Sequence, residues 1–459
     1  MAAIGVSPAV SAEASQLTTA VAQITVASRE PRIGAGRTLD DRPIARLKRW
    51  LAHRLLRLFM RVYFAKLAIA RAIGGVPWKP KPGGYRILVT GTFFSENWVS
   101  AHIRPLAAAA ECEQLYVVST YPLPDSPKVV AVYPPNWLKK MIGGVPARLL
   151  VFLITAMRTR PHLVGGFHLL VNALVANVTA RLIGARSMYF CVGGPMEVLD
   201  GGIWAENRLF GTMETPDPVV ERQLLRAVNT FDQVITMGTR AVEYHRRHGA
   251  NTRFDVISGG MNPATFFPGD EPPTTDLVLV GRLTEIKRID VFLRGVRHAV
   301  QRCPSLSATI VGDGDLRESL EQDAKALGIA DHVRFVGQQS NVADWLRKSR
   351  IFVLTSDSEG LALSLMEAMS CGLPAIVTNV GDLPDLIEDG VNGYLVPRRD
   401  AEALGERIVE LLNDEQRLGR FSKAAREAAM YHETSRVSGR WDQILKALRG
   451  SHANGGTQS

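Results

Sequence analysis

The chain has 459 residues, of which 46% are hydrophobic and 22% charged, and its formal net charge is +9. This length exceeds one compact core and fits two globular domains, while the composition excludes a disordered or fibrous protein. Residues 1–80 carry the whole excess of positive charge, because basic and acidic residues balance over 81–459. A basic surface spread over the fold, as a nucleic-acid-binding protein needs, is therefore excluded.

Cysteine usage and the N-terminal segment indicate the compartment. Four widely separated cysteines lack the spacing of metal ligands and are typical of a reducing, cytoplasmic environment. The start of the chain lacks the charged and apolar regions of a secretory signal, and no apolar run approaches the ~20 residues of a membrane-spanning helix. We expect residues 1–80 to form a disordered tail followed by a helix, with a transit peptide as the alternative for the first forty residues.

One amphipathic helix is predicted over residues 44–73, where apolar residues recur at three- and four-residue steps. Its apolar stripe comprises Ile44, Leu47, Leu51, Leu55, Leu58, Val62, Ile69 and Ile73, and arginines lie on the other side. A long, basic helix of this kind is typical of a helix lying in an anionic membrane surface. The alternative is that it packs on the body of the protein or on a partner.

After Tyr85, short apolar runs alternate with helical segments, which predicts parallel sheets with helices on both faces. The first predicted strands are Arg86–Thr92, Leu115–Thr120, Leu163–Phe167, Met188–Gly193, Gln233–Gly238 and Phe254–Gly259. The second set is Leu277–Arg282, Ala308–Gly312, Val333–Gly337, Ile351–Thr355, Ala375–Asn379 and Gly393–Val396. A proline-rich linker over residues 263–275 separates the two sets.

The fold class is therefore α/β, with two Rossmann-like, doubly wound domains that face each other across a cleft. We expect an N-terminal domain over residues 85–265 and a C-terminal domain over 276–430, with ligands at the carboxyl ends of the strands. A helix over 431–449 and a polar tail over 450–459 follow. Residues 135–160 mix basic residues with an apolar run, which predicts either a second membrane-contacting surface or a buried helix with basic ends.

Arg282 and Lys287 lie five residues apart in a loop that follows a predicted strand and precedes a helix. Both side chains can reach one anionic group. A diphosphate leaving group needs such cations, because its charge grows as the bond to it breaks. The pair alone would also fit a solvated surface.

Two carboxylates follow another predicted strand. Glu359 precedes the expected start of a helix near Leu363, and Glu367 lies about one turn inside it. The free N–H groups of the helix and its positive dipole end form a site for phosphate. The carboxylates can bind hydroxyls of a sugar and a ribose, and Gly360 lets the backbone approach closely.

Together these motifs resemble the retaining family 4 glycosyltransferases of GT-B fold, known as glycosyl transferases group 1. The resemblance covers about residues 277–429. It also includes the stretches Val311–Asp315, Val336–Gly337, Ala368–Pro374, Gly381–Ile387 and Gly390–Val396. It implies a hexosyltransferase that moves a sugar from a nucleotide-diphosphate sugar with retention of anomeric configuration.

The resemblance also implies roles for individual residues on the donor side. Arg282 and Lys287 would hold the diphosphate, Glu359 the transferred sugar and Glu367 the ribose. The backbone of Gly360, Leu361, Ala362 and Leu363 would meet phosphate and sugar, and Gly312 and Gly337 would lie near the nucleotide. The family mechanism needs no metal or cofactor, so Asp313-Gly314-Asp315 is interpreted as a strand-end turn and the nucleotide sugar as a co-substrate.

The N-terminal domain resembles the family only loosely. Gly91 remains of a glycine pair in the first strand-to-helix loop, and a glycine-rich loop stands where relatives commonly carry a histidine. Glu197 in that loop is the best acceptor-side candidate. His168, His102 and Asn262 are weaker candidates, and a turn carboxylate or a core histidine without a role is the alternative reading.

The leading hypothesis is thus a retaining glycosyltransferase at the cytoplasmic face of a membrane, where it extends a lipid-linked or polysaccharide glycan. It would bind a UDP- or GDP-sugar, a glycan or glycolipid acceptor, and an anionic membrane surface through residues 44–73. One alternative is a soluble transferase that makes a small glycoside or disaccharide. Another, of a different class, is a nonenzymatic membrane-bound scaffold that binds a nucleotide sugar.

Overall fold

The computed structural model describes residues 43–75, 80–93, 96–202 and 215–450. The expected N-terminal tail and the polar C-terminal tail lie outside these residues. The two sheets described below belong to one compact unit that begins at Leu47.

Seven parallel strands form the first sheet, in the order β3-β2-β1-β4-β5-β6-β7. They are β1 (Tyr85–Thr90), β2 (Cys112–Val118), β3 (Val129–Val132), β4 (Leu163–Phe167), β5 (Arg186–Cys191), β6 (Gln233–Thr236) and β7 (Phe254–Val256). Most of β1, β4 and β5 is fully buried, because helices cover both faces of the sheet.

Six parallel strands form the second sheet, in the order β10-β9-β8-β11-β12-β13. They are β8 (Thr275–Val280), β9 (Ala308–Val311), β10 (Val333–Phe335), β11 (Ser349–Leu354), β12 (Ala375–Thr378) and β13 (Gly393–Val396). In each sheet the strand order reverses beside the first strand, so the loops there open a crevice at the carboxyl edge.

Helices connect the strands within each sheet. Those of the N-terminal part are α1 (Pro43–Ile73), α2 (Glu96–Ala108), α3 (Asn136–Ile142), α4 (Gly144–Thr159), α5 (Leu174–Ile183), α6 (Pro218–Val228) and α7 (Thr239–Arg247). Those of the C-terminal part are α8 (Ile289–Val300), α9 (Arg317–Ala326), α10 (Val342–Arg347), α11 (Leu363–Ser370), α12 (Ala401–Leu412), α13 (Glu415–Ala429) and α14 (Thr434–Gly450).

The predicted strands are all present, but strand β3 was not predicted. Three of its four residues are half-buried and Val130 is exposed, at the edge of the first sheet, and the strand follows a segment with three prolines, Pro122, Pro124 and Pro127. A short edge strand lacks the continuous apolar run of a central parallel strand, which explains why the pattern missed it.

Helix α1 packs on the first sheet's helices through a stripe that the sequence analysis did not single out. Leu56, Met60, Tyr63 and Leu67 are at most 5% exposed and join a cluster with residues of β5 and α6. Arg57 donates to the buried carboxylate of Asp217 at 2.9 and 3.1 Å. The stripe predicted from the sequence is 42–70% exposed instead, so α1 has two apolar faces, of which one is packed.

Helix α14 returns to the first sheet after the second sheet is complete. Its Trp441 is 2% exposed and lies in one cluster with Tyr85 and Phe190. Arg449 donates to both carboxylate oxygens of Glu111, at 2.6 and 3.1 Å. The last described helix is therefore part of the core of the N-terminal domain.

Helices α3 and α4 carry exposed apolar side chains, including Trp137 at 64% and Met141 at 67%. Their inner face is buried through Phe152 and Ala156. Among the described residues, no helix combines the length and the apolarity needed to cross a bilayer.

Candidate active site

Lys287 and Glu359 meet at the carboxyl edge of the second sheet. The Lys287 ammonium lies 2.5 Å from Oε1 of Glu359, and both side chains are largely buried. The hydroxyl of Ser356 donates to the same carboxylate oxygen at 2.5 Å. Both loops follow adjacent strands, β8 and β11, which is why residues 72 positions apart form one pair. The arrangement places a cation and an orienting carboxylate at one point of the cleft edge.

Gly360 brings the two domains into close contact. A Cβ at this position would lie 2.5 Å from the carbonyl oxygen of Val192 at the end of β5, so only glycine allows the approach. Leu361 and Ala362 are buried beside it, and helix α11 begins at Leu363 as predicted. Helix α11 thus begins four residues after Glu359, and the N-terminal end of a helix can bind an anion.

Glu367 lies inside α11, and its carboxylate reaches the N-terminal domain. Asn97, at the start of α2, donates to Oε1 of Glu367 at 3.0 Å. Burial raises the pKa of Glu367 to about 7, and the bond from Asn97 offsets part of that rise. The sequence analysis did not single out Asn97, because a bond between the domains leaves no local signature.

The remaining donor-side glycines permit close backbone contacts between neighbouring strand ends. Gly312 has φ +145°, and a Cβ there would lie 1.9 Å from the carbonyl oxygen of Gly281. Its N–H donates to the carbonyl of Gly337 at 2.9 Å, and Gly337 itself has φ +72°. Arg282 is exposed in the adjoining loop. These residues line one edge of the sheet, beside the Lys287–Glu359 pair.

On the N-terminal side, Gly91 follows β1, and its carbonyl accepts a hydrogen bond from a buried arginine. Arg148 of α4 donates to this carbonyl at 2.5 Å and to Asn172 Oδ1 at 2.7 Å. Burial lowers the pKa of Arg148 to about 10. Arg148 therefore holds the loop that follows β1 in place. The sequence analysis did not predict this role, because Arg148 lies in an apolar run.

Glu197 is 3% exposed and its carboxylate accepts four hydrogen bonds. Two reach Oε1, from His168 Nδ1 at 3.2 Å and from the N–H of Gly193 at 2.7 Å. Two reach Oε2, from the N–H of Leu169 at 2.5 Å and from the Tyr189 hydroxyl at 2.9 Å. Burial alone would raise the pKa of Glu197, but His168 and these bonds outweigh it, so the pKa is lowered. Glu197 thus joins the ends of β4 and β5, and its acceptor atoms are already engaged.

The two remaining acceptor-side candidates, His102 and Asn262, lie in different surroundings. His102 is buried beside Trp98, and burial lowers its pKa to about 3, which keeps it a neutral core side chain. Asn262 bonds within its own turn, accepting from the N–H of Ala264 at 3.1 Å and donating to the Thr265 hydroxyl at 3.2 Å. The structure therefore does not join Asn262 to the other candidates.

A second contact between the domains joins helix α7 to the loop that follows β12. The N-terminal end of α7 is capped by the C-terminal domain: Asp385 accepts from the N–H of Thr239 at 2.5 Å and from its hydroxyl at 2.7 Å. Asp382 accepts from the N–H of Ala241 at 3.2 Å, and burial raises its pKa to about 6. We call these four residues the α7 latch. The sequence analysis matched the stretch Gly381–Ile387 to the family without assigning this contact.

The aspartates after β9, Asp313 and Asp315, lie in a turn at the end of the strand. Asp313 accepts from Arg317 at 3.1 Å and from the N–H of Gly314 at 2.8 Å, consistent with a strand-end turn. Within the described ranges, no three His, Cys, Asp or Glu side chains cluster as a metal site would require.

Comparison with known proteins finds a family match in the C-terminal half of the chain. The family model described as glycosyl transferases group 1 matches residues 266–428. The match covers 163 of the 459 residues. The matched segment contains the Lys287–Glu359 pair, helix α11 and the Asp382–Asp385 side of the α7 latch.

A D-inositol 3-phosphate glycosyltransferase of Catenulispora acidiphila is 31% identical over an alignment of 277 positions, and this alignment covers 53% of the chain. The chain spans 64% of the length of that relative. Among solved structures, the sucrose-phosphate synthase of Thermosynechococcus elongatus is similar to this chain with TM-score 0.65 and 18% identity. The superposition covers 80% of this chain and 100% of the synthase. Anabaena HepE, solved in complex with UDP, matches 79% of the chain and all of its own with TM-score 0.61 and 17% identity. The predicted fold, two parallel-sheet domains of GT-B type, is confirmed.

Proposed function

We propose that the chain is a retaining glycosyltransferase that moves a sugar from a UDP- or GDP-sugar to a lipid-linked or polysaccharide glycan at the cytoplasmic face of a membrane. The observation that carries the transferase proposal is the meeting of Lys287, Glu359 and the start of α11 at one point of the cleft edge. A cation and free backbone N–H groups stabilise a departing diphosphate, and an orienting carboxylate binds sugar hydroxyls.

In this proposal the anomeric bond ionises toward an oxocarbenium-like state while Lys287, Arg282 and the helix end hold the diphosphate. The acceptor hydroxyl attacks from the face that the diphosphate leaves, and a phosphate oxygen takes its proton. No protein base is then required, because the leaving phosphate takes the proton, and no metal is required, because Lys287, Arg282 and the helix end stabilise the charge of the diphosphate.

The donor site is tested by thermal stabilisation with UDP- and GDP-sugars in the presence of a chelator, followed by NMR of the product anomer. We expect one nucleotide class to raise the melting temperature, and a product with the anomeric configuration of the donor. An inverted product would contradict retention, and loss of the shift with chelator would contradict metal independence. Donor binding without transfer to any acceptor would favour the nonenzymatic scaffold.

The membrane part of the proposal is supported by helix α1. Its outer stripe is 42–70% exposed, and residues 43–73 contain eight Lys and Arg and neither Asp nor Glu. Apolar side chains at this exposure, flanked by cations alone, match the headgroup region of an anionic bilayer. Residues 136–159, which contain α3 and α4, also lack acidic residues and expose Trp137 and Met141.

Deletion of residues 1–80 would not test this cleanly, because it would also remove Leu56, Met60, Tyr63 and Leu67 from the core. The sharper test is the triple variant Leu51→Gln, Leu55→Gln, Leu58→Gln, which alters only the exposed stripe. We expect at least about tenfold weaker binding to phosphatidylglycerol-containing vesicles, since each leucine contributes ~1.5–3 kcal/mol when buried.

The matched control is Val256→Gln, Val391→Gln, Met430→Gln, which changes exposed apolar residues elsewhere. This control should bind vesicles like the unaltered chain. Equal binding by all three proteins, or no preference for anionic over phosphatidylcholine vesicles, would contradict the role of α1.

A small-molecule acceptor is the second candidate. The relative described above is named a D-inositol 3-phosphate glycosyltransferase, and the structural neighbour is named a sucrose-phosphate synthase. Both names point to small, soluble acceptors. Transfer to soluble sugars or sugar phosphates that proceeds without vesicles, and is unchanged by the triple variant, would favour this candidate over a lipid-linked acceptor.

A further inference from the structure

We propose that Asp357 is a positioning residue: paired with Arg399, it holds the loop over residues 355–359 so that the carboxylate of Glu359 meets the ammonium of Lys287. The inference rests on the proposed function and deepens its donor site. It assigns the residues different tasks, because Glu359 and Lys287 would touch the donor, whereas Asp357 and Arg399 act through Glu359.

The first support is the geometry of the Asp357–Arg399 pair. The side chain of Asp357 is 5% exposed, and Arg399 donates to both of its oxygens, from Nε to Oδ1 at 2.9 Å and from Nη2 to Oδ2 at 2.6 Å. The neighbouring Arg398 donates to the backbone carbonyl of Asp357 at 3.3 Å. Two parallel bonds between a guanidinium and a carboxylate fix orientation as well as distance. The residue two positions before Glu359 is therefore held through its side chain and through its backbone.

The second support is that the same loop bonds to the loop of Lys287. The N–H of Asp357 donates to the carbonyl of Ile286 at 2.8 Å. The hydroxyl of Thr355 lies 3.1 Å from the carbonyl oxygen of Lys287 and 3.0 Å from that of Arg288, and donates to them. The loop that carries the carboxylate and the loop that carries the ammonium therefore keep a fixed register.

The third support is a continuous path of bonds from Arg399 to Glu359. Arg399 follows β13 at the edge of the second sheet, and it reaches past β12 to the loop that follows β11. At the end of β12, the Thr378 hydroxyl donates to the carbonyl of Ser356 at 2.7 Å, and the Ser356 hydroxyl donates to Oε1 of Glu359 at 2.5 Å. Because Ser356 and Asp357 are adjacent, a displacement of Asp357 also moves the hydroxyl that orients Glu359.

The first test is Arg399→Ala, which removes both bonds to Asp357 and alters no residue assigned to the donor. We expect kcat, measured with whichever UDP- or GDP-sugar raises the melting temperature, to fall about tenfold or more, because displacement of a reacting group by ~1 Å can cost about a hundredfold in rate. Arg399→Lys should recover only part of this loss, since lysine keeps the charge but lacks the planar fork. The matched control is Arg407→Ala, which breaks the pair with Glu410 at 2.6 Å on α12 and should retain full turnover.

A double variant separates positioning from a general loss of structure. In a chain that already carries Glu359→Ala, Arg399→Ala should reduce kcat by less than about twofold further, because the group through which it acts is gone. A general structural effect would lower kcat about tenfold in both backgrounds. If Arg399→Ala does not fold, Asp357→Asn takes its place, because it keeps the size of the buried side chain while its amide group cannot accept from Arg399.

Full kcat in Arg399→Ala and Asp357→Asn, or an equal fall in the presence and absence of Glu359, would overturn the inference. A chain that no UDP- or GDP-sugar stabilises and that transfers no sugar would overturn the proposed function itself. Transfer that continues at the full rate in Arg399→Ala overturns this inference alone.

Discussion

Lys287 and Glu359 depend on each other for both charge and position. Their 2.5 Å contact is mostly shielded from water, where an ion pair is screened less than at the surface. Bound diphosphate would compete with Glu359 for Lys287, and a sugar hydroxyl would take the place of Lys287 at Glu359. The ion pair thus holds both side chains where the proposed reaction uses them.

We expect Lys287→Ala and Glu359→Ala each to reduce turnover at least about a hundredfold, since each removes a group that interacts more strongly in the transition state. Steady-state kinetics measures the loss, and circular dichroism checks that the variants fold. Arg294→Ala is the matched control, because it breaks the exposed pair with Asp290 on α8 at 3.0 Å. Near-normal turnover in both test variants would show that the site has been assigned to the wrong residues.

Glu367 offers a test that separates stability from binding. Its pKa is raised from 4.5 to about 7, so the folded chain binds a proton more tightly than the unfolded chain. Stability from this group is therefore full below pH 4.5 and is lost as the pH rises to about 7, by about 3 kcal/mol in total. Glu367→Gln keeps the acceptor for Asn97 and has no such titration.

We expect Glu367→Gln to raise the KM for the donor about tenfold and to make the folded chain at least as stable as the unaltered one at pH 8. Melting temperatures across pH 4.5–8 measure the second effect, and the difference between the two proteins should grow with pH. A variant that melts lower at pH 8 than at pH 5, relative to the unaltered chain, would contradict the pKa assignment.

At the scale of elements, α7 and the loop after β12 connect the domains. The N-terminal end of α7 receives both of its aspartate contacts from the other domain, which are 146 and 141 positions away in sequence. A helix start needs such acceptors, because its first N–H groups have no partner within the helix. The α7 latch therefore gives α7 a cap only when the domains are close together.

We expect Asp385→Ala to open the cleft and to reduce turnover about tenfold, because the variant loses a cap worth ~1 kcal/mol together with the contact between the domains. Small-angle scattering, or energy transfer between one label on each domain, measures the opening. Asp400→Ala is the matched control: it removes the cap of α12, where Asp400 accepts from Ala403 at 2.9 Å, within a single domain. Equal opening in both variants would mean that the latch has no special role.

The elements also show what the sequence could predict. The loops after β8 and β11 were predictable, because a strand, a glycine and a charged side chain are contiguous there and each requirement is local. Strand β3 and the packed stripe of α1 were not, because one is a short edge strand and the other becomes visible only against its neighbours. When a helix has two apolar faces, its sequence pattern does not predict which face packs against the rest of the protein.

For the whole molecule, the same distinction separates the donor side from the acceptor side. Donor residues occur in short motifs, whereas His168 and Glu197 follow two different strands, β4 and β5, and Asn97 reaches Glu367 across 270 positions. Contacts of that kind depend on how the two sheets are placed and carry no fixed spacing. The stripe of α1 that the sequence predicts to contact a membrane is exposed in the structure, and its lipid contact stays a prediction.

Helix α14 has a consequence for synthesis on the ribosome. Glu111 and Arg449 form an ion pair although 338 positions separate them, and Trp441 fills the core beside Tyr85. The first sheet emerges during translation long before the helix that completes it, so the growing chain carries an unfinished apolar surface while the whole second domain is made. Folding of this surface must wait, and the nascent chain is a natural client for a chaperone that binds exposed apolar segments.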